Sequence, residues 1–237
     1  MYIRSKRNRF QEICIARRTK EEALETRNKL LDSAEYLFQS QGVSRTTLQD
    51  IAQHAGATRG AVYWHFKDKA DLFNAMMDRV TLPLENFFND EQAPQQTSGD
   101  SGTQALEHTR NAILKALNQI VNDPQTRRVI EIATQKVEYL EGIKDIRLRH
   151  LTTCNSFLCR VKQGLDTASL QNNQTLPLSG ILAARGLHAL IDGLIQNWLL
   201  DPQAFDLMDA GERTMNVYFI GLGFMPVNPP QDALPED

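Results

Sequence analysis

The segment TTLQDIAQHAGATRGAVYWHF, residues 46–66, holds the residue types and spacing in this sequence best suited to recognition chemistry. Two short helical stretches meet across a turn containing Gly56, the length and composition of a helix-turn-helix. In such a unit the second helix is thin enough to enter a DNA major groove, while the first braces it against the backbone. Ile51, Ala52 and Val62 are expected to lock the pair together, and Gly60 and Ala61 keep the second helix slim. Thr58 and Arg59, at its N-terminal turn, sit where base edges are read, since arginine can donate two hydrogen bonds to one guanine. Thr47, Tyr63, His65 and Lys69 are of the types that hold phosphates. Set against this, Tyr63-Trp64-His65-Phe66 also reads as the aromatic core of a plain three-helix unit, with Phe66 inside it.

The elements that must position these residues all read as helices, because no strand-like alternation persists anywhere in the chain. Thr19-Lys20-Glu21-Glu22 matches a capping box and predicts a helix start, followed by Leu24, Leu30, Leu31, Ala34, Leu37 and Phe38 on one face. Gly42 is placed to end that helix. A second box, Thr46-Thr47-Leu48-Gln49, opens the next. Thr58 caps a third that ends near Phe66, and Asp68-x-x-Asp71 starts a fourth through Leu72, Phe73, Met76 and Val80, kinked at Pro83. The polar stretch Asp90 to Thr103 reads as a loop. Leu106, Ile113, Leu117, Ile120 and Val121 mark another amphipathic helix, halted before Pro124. Further helices are expected over 125–141, 144–168, 179–200 and 205–222.

These elements predict an all-α protein with five parts: a basic arm (1–18), a three-helix helix-turn-helix domain (19–66), a connecting helix (67–89), a larger helical domain (90–225), to which the family resemblance given below assigns ligand binding and dimerisation, and a proline-rich flexible tail (226–237).

Charge is distributed unevenly. Residues 1–80 hold 14 Lys/Arg against 10 Asp/Glu, and the remainder of the chain holds 12 against 19. Within residues 1–20, seven basic side chains (Arg4, Lys6, Arg7, Arg9, Arg17, Arg18, Lys20) face one acid, Glu12. A basic arm ahead of a small helical domain suits phosphate binding. The apolar run from Ile181 to Leu200 is broken by Arg185, His188, Asp192, Gln196 and Asn197, so it does not read as a membrane span. Cys14, Cys154 and Cys159 show no metal-ligand spacing and no even disulfide framework. The chain reads as cytoplasmic, without cofactor or metal. No glycine-rich phosphate loop or activated nucleophile points to an enzyme.

The stretch from Ala16 to about Val80 resembles the DNA-binding domain of the TetR family of repressors. More narrowly, ARRTKEEALETRNKLLDSAEYLF, GVSRTTLQDIAQHAG and TRGAVYWHFKDKADLF are similar to AcrR-type regulators of multidrug efflux pumps. The resemblance implies a homodimer on a near-palindromic, double-stranded operator. It implies that Thr47, Tyr63, His65 and Lys69 hold phosphates, that Thr58, Arg59 and Gly60 face bases, and that Trp64 either joins them or packs partly inside. One departure is the fifteen residues before Ala16, where such regulators usually begin at once. They read either as an arm able to reach the minor groove or as an upstream start.

Beyond residue 80, Lys136-Val137-Glu138-Tyr139 and Asp192 to Leu207 resemble stretches of AcrR-type sensors. That resemblance implies an apolar cavity for drugs and aromatic compounds, and a dimer interface built from the last two long helices. Gly186 and Gly193 lie seven apart on one stripe, and Met208, Gly211, Met215, Tyr218, Phe219 and Leu222 recur at helical spacing. Both sets fit either a partner helix or the chain's own core, and the resemblance favours the partner. Asp192 in an apolar helix needs a partner or water. It reads as a rim residue or as the polar anchor of the cavity, and the resemblance favours the anchor. His188, Ile191 and Ile195 share its face, with Ile113, Leu117, Thr134, Val137, Phe157 and Val161 as expected opposite walls.

The function so implied is a ligand-responsive repressor of a multidrug efflux operon, released by a small apolar or aromatic inducer. The alternative is a regulator of a metabolic or signalling operon with a natural ligand.

Overall fold

The computed structural model describes residues 3–80, 102–137 and 144–224. Among them the chain forms nine helices and no strand: α1 (Ile3–Gln41), α2 (Leu48–His54), α3 (Arg59–His65), α4 (Lys69–Met77), α5 (Gly102–Asn122), α6 (Pro124–Gln135), α7 (Lys144–Gln171), α8 (Gly180–Leu200) and α9 (Leu207–Gly221). The expected kink at Pro83, most of the loop over 90–103 and the tail over 226–237 lie outside the described residues. No described helix is long and apolar enough to cross a membrane.

The helix start expected at Thr19 lies inside α1, which begins at Ile3. Residues 3–41 contain neither glycine nor proline, so nothing in the backbone stops the helix from running through a local capping pattern. At the other end Gly42 takes φ +88°, a conformation that favours glycine, and its N–H donates to the Phe38 carbonyl at 3.0 Å.

The chain divides into two compact units. The first runs through Val80 and resumes at Arg128, whereas the expected domains were contiguous in sequence. Its core is built on α1, where Leu30, Leu31, Ala34 and Phe38 recur at helical spacing and are fully buried. Leu72, Phe73 and Met76 of α4 join them, with the Phe38 and Phe73 rings 6.0 Å apart. The later stretch of this unit is tied to α1. Gln39 donates to Glu131 at 2.9 Å, and the Val43 N–H donates to the Lys136 carbonyl at 3.0 Å.

The second unit holds α5, the start of α6, most of α7, and α8 and α9. Pro124 occupies the first position of α6, where its missing N–H costs nothing. Gly211 of α9 leaves room for the Leu117 side chain of α5, and Arg110 of α5 pairs with Glu212. Gly164 of α7 faces the buried Thr109 hydroxyl in the same way. At both glycines a side chain of the neighbouring helix fills the space that a Cβ would take.

Candidate nucleic-acid interface

Two caps fix the ends of the short helices. Thr47 precedes α2 in extended conformation, and its hydroxyl accepts from the Asp50 N–H at 3.1 Å. Asp50 returns the favour to the start of the helix, accepting from the Thr47 N–H at 2.8 Å and from its hydroxyl at 2.7 Å. Those contacts hold the Asp50 carboxyl below its ordinary pKa, so it stays ionised. The box therefore sits one residue later than the expected Thr46–Gln49 pairing. Thr46 is fully buried instead, donating to the Gly42 carbonyl at 2.8 Å. Both residues are threonines, and burial decides between them in a way the local pattern cannot show.

Between α2 and α3 the chain turns at Gly56, φ +66°. Thr58 then caps α3, its hydroxyl accepting from the Ala61 N–H at 3.2 Å. Ile51, Ala52, Val62 and Phe66 are buried beneath the pair. The opposite face of α3 is open: Thr58, Arg59, Gly60, Tyr63 and Trp64 are all exposed. Trp64 is 72% exposed, so it does not pack inside the unit, and the aromatic cluster contributes only Phe66 to the core. Tyr63, 49% exposed, stands beside it on the same open side of the helix.

Arg59 lies with its guanidinium 5.5 Å from the Tyr63 ring centre, which pre-orients it along the open face. A side chain at Gly60 would meet only the Thr58 hydroxyl, at 3.8 Å, so nothing within the chain demands a glycine there. His65 is half-buried, edge-on to Trp64 at 4.5 Å. Burial, and then the nearby Arg27, push its pKa below the usual value. At neutral pH the lowered value favours the uncharged ring.

Lys69 is turned back into its own chain. Its ammonium donates to the carbonyls of Val43 at 2.8 Å, Thr46 at 3.1 Å and Ser44 at 3.3 Å, an acceptor for each of its three protons.

Residues 30–76 match the tetR family of bacterial regulatory proteins, and residues 104–222 match the C-terminal region of MAATS-type transcriptional repressors. The HTH-type transcriptional regulator TtgR of Pseudomonas putida is 36% identical over 217 residues, covering 91% of this chain and 98% of that protein. The chain belongs to the TetR family.

Solved structures agree with that membership. NalD, the secondary repressor of the MexAB-OprM multidrug efflux pump in Pseudomonas aeruginosa, superposes with a TM-score of 0.72 at 33% identity, covering 85% of this chain and 98% of NalD. SmeT, solved in complex with triclosan, gives 0.65 at 28% identity, covering 90% of this chain and all of SmeT. SmeT represses the Stenotrophomonas maltophilia efflux pump SmeDEF.

In the second unit of this TetR-family protein, Ile113, Leu117, Phe157, Val161 and Ile191 are buried. His188 is half-buried with its ring 5.4 Å from Phe157, and Ile195 is also half-buried. Thr134 and Val137 fall in the stretch that belongs to the first unit, where the Thr134 hydroxyl donates to the Ile130 carbonyl at 2.8 Å. Asp192 is exposed rather than enclosed. The buried stripe of α8 runs through Ala183, Ala184, Leu187, Ile191 and Trp198, and Asp192 stands about 100° round the helix from Ile191. Its charge reaches Cys154, adding to the burial that pushes that thiol's pKa up.

The expected dimer residues divide. Met215, Phe219 and Leu222 are buried in the chain's own core, and Met208 is half-buried. Gly186 is covered by Tyr218, whose hydroxyl donates to the Ala183 carbonyl at 2.8 Å. That glycine serves the α8–α9 packing of a single chain. Gly193, by contrast, has nothing of its own chain within reach of an added Cβ. Exposed apolar residues missed from sequence stand on the same two helices: Leu182 and Leu200 on α8, Val217 and Ile220 on α9. Helical counting away from Met215 and Phe219 would have found the last two.

Proposed function

We propose that this protein is a ligand-responsive repressor of a multidrug efflux operon. It binds a near-palindromic operator as a homodimer and lets go when a small apolar or aromatic compound binds its second unit. The observation that carries the reading is the open face of α3. Thr58, Arg59, Gly60, Tyr63 and Trp64 are exposed together on a capped helix whose underside, Val62, is fully buried. Arg59 reads a base edge, Tyr63, Trp64 and the neutral His65 settle against the backbone, and Thr47 approaches from the start of α2. The basic stretch ahead of Thr19 adds charge toward the same polyanion.

The efflux target rests on NalD and SmeT, both repressors of such pumps, and the inducer class on the SmeT–triclosan complex. Leu182, Gly193, Leu200, Val217 and Ile220 supply the partner-facing surface, an apolar set left open on the two terminal helices. Ile113, Leu117, Phe157, Val161, His188, Ile191 and Ile195 line the ligand's surroundings, with Asp192 at the rim.

Selection of duplexes from a random library tests the reading. The protein should enrich sequences with dyad symmetry, whose half-sites lie about one helical turn apart or a multiple of it. Enrichment of a single, non-repeated half-site contradicts the homodimer, and no enrichment contradicts sequence-specific binding.

A further inference from the structure

Lys69 opens α4 directly after its cap, Asp68, whose side chain accepts from the Asp71 N–H at 2.9 Å. The three carbonyls it holds belong to Val43, Ser44 and Thr46, all in the loop that leads from α1 into α2. Three carbonyl dipoles converging on one point repel each other unless a cation with three protons stands there. The ammonium matches that need in number and charge. Thr46 makes the loop firmer still, buried with its hydroxyl on Gly42. The next residue is Thr47, the cap of α2. A short covalent path therefore joins the point that Lys69 grips to the helix that braces α3.

The electrostatics point the same way. Burial lowers the Lys69 pKa, and no anionic partner offsets it. A lysine poised for phosphate would more usefully stand in solvent, as Arg59 does.

We propose that Lys69 is a positioning residue: it ties the first turn of α4 to the lead-in of α2, and so sets how the helix-turn-helix presents itself to DNA without holding a phosphate itself. The inference rests on the DNA-binding reading above. Loosening the clamp lets α2 and α3 shift together against the rest of the unit. Two-point base contacts depend steeply on such a shift, whereas contacts between flexible basic side chains and phosphates tolerate it. Sequence discrimination should therefore suffer more than general affinity.

Two kinds of measurement test this. The first needs no DNA. In the free protein at neutral pH, the Lys69 ammonium protons should exchange slowly enough to be seen by nitrogen-15 NMR, where solvated lysines are not. Rapid exchange overturns the clamp, whatever the protein binds.

The second compares wild type, Lys69→Met and Lys69→Arg on a library-enriched duplex and on a random duplex across a salt series. Positioning predicts that Lys69→Met loses tenfold or more on the enriched duplex and less than threefold on the random one, with unchanged salt slopes. Lys69→Arg should fail to restore discrimination, because a planar guanidinium cannot point three donors at one convergent site. A phosphate role predicts equal losses on both duplexes, a slope smaller by about 0.9, and rescue by arginine. Either of the last two results overturns the proposal. Wild type that binds neither duplex removes the DNA reading instead, and the exchange measurement still decides the clamp.

Discussion

Arg128 Nη1 lies 3.0 Å from Glu35 Oε1, and the carboxylate it meets is only 2% exposed. Arg79, two residues past the end of α4, approaches the other oxygen at 3.8 Å while pairing with Asp32 at 2.6 Å. A carboxylate so thoroughly removed from water needs compensating charge, and these two guanidinium groups supply it. Glu35 thus joins α1 to residues of two later segments, within the unit that carries the helix-turn-helix.

Glu35→Gln should accordingly lower stability by about 2–3 kcal/mol, since it takes the anion from Arg128 and leaves Arg79 with Asp32 alone. Asp32→Asn, at a side chain 63% exposed, should cost less than about 1 kcal/mol. Urea unfolding of the two variants checks the ranking, and equal losses would show that Glu35 is not the centre of the cluster.

Gly186→Ala should destabilise the chain by about 1–3 kcal/mol, because its new methyl meets the Tyr218 ring and hydroxyl. Gly186→Ala combined with Tyr218→Phe should recover part of that loss, the hydroxyl being the atom nearest the methyl. Thermal melts of the single and double variants measure it.

Gly193→Leu and Val217→Asp should leave the single-chain fold intact. Gly193 has open space beside it and Val217 is 70% exposed. Both should shift sedimentation at low protein concentration from dimer to monomer, and operator affinity should fall with it. Variants that remain dimeric would move the interface off α8 and α9.

Burial, and then the charge of Asp192, raise the pKa of the Cys154 thiol, whereas Cys159 is exposed. Iodoacetamide at pH 8, followed by peptide mapping, should therefore label Cys159 well before Cys154. Asp192→Asn removes a charge that disfavours the thiolate, so the Cys154 rate should rise. An unchanged rate would place Asp192 out of reach of that thiol.

Much of this arrangement was readable in the residues. Thr58, Gly56 and Asp68 act where their types require, because caps and turns are decided within three or four residues. The apolar periodicity of α1, α4 and α5 likewise names most of their buried faces; Leu24 is the exception on α1, 56% exposed a turn and a half before the buried stripe begins at Leu30. What pattern could not show is which of two similar groups a fold turns inward. Thr46 and Thr47 differ only in burial, and Gly186 and Gly193 differ only in whether Tyr218 lies across them. Lys69 has the chemistry of a phosphate ligand, and only the path of the Val43–Thr46 loop reveals that its protons are already used.

The central claim is that the open face of α3 reads DNA sequence, and Arg59 tests it most directly. Arg59 is exposed and makes no ion pair among the described contacts that would confuse the result with loss of fold. The measurement is competition between a library-enriched duplex and a random one, for wild type and for Arg59→Ala, at fixed salt. The account predicts that the variant loses on the order of 1–3 kcal/mol on the enriched duplex, with discrimination at one base position in each half-site relaxed. An Arg59→Ala protein that discriminates the two duplexes as well as wild type would contradict it.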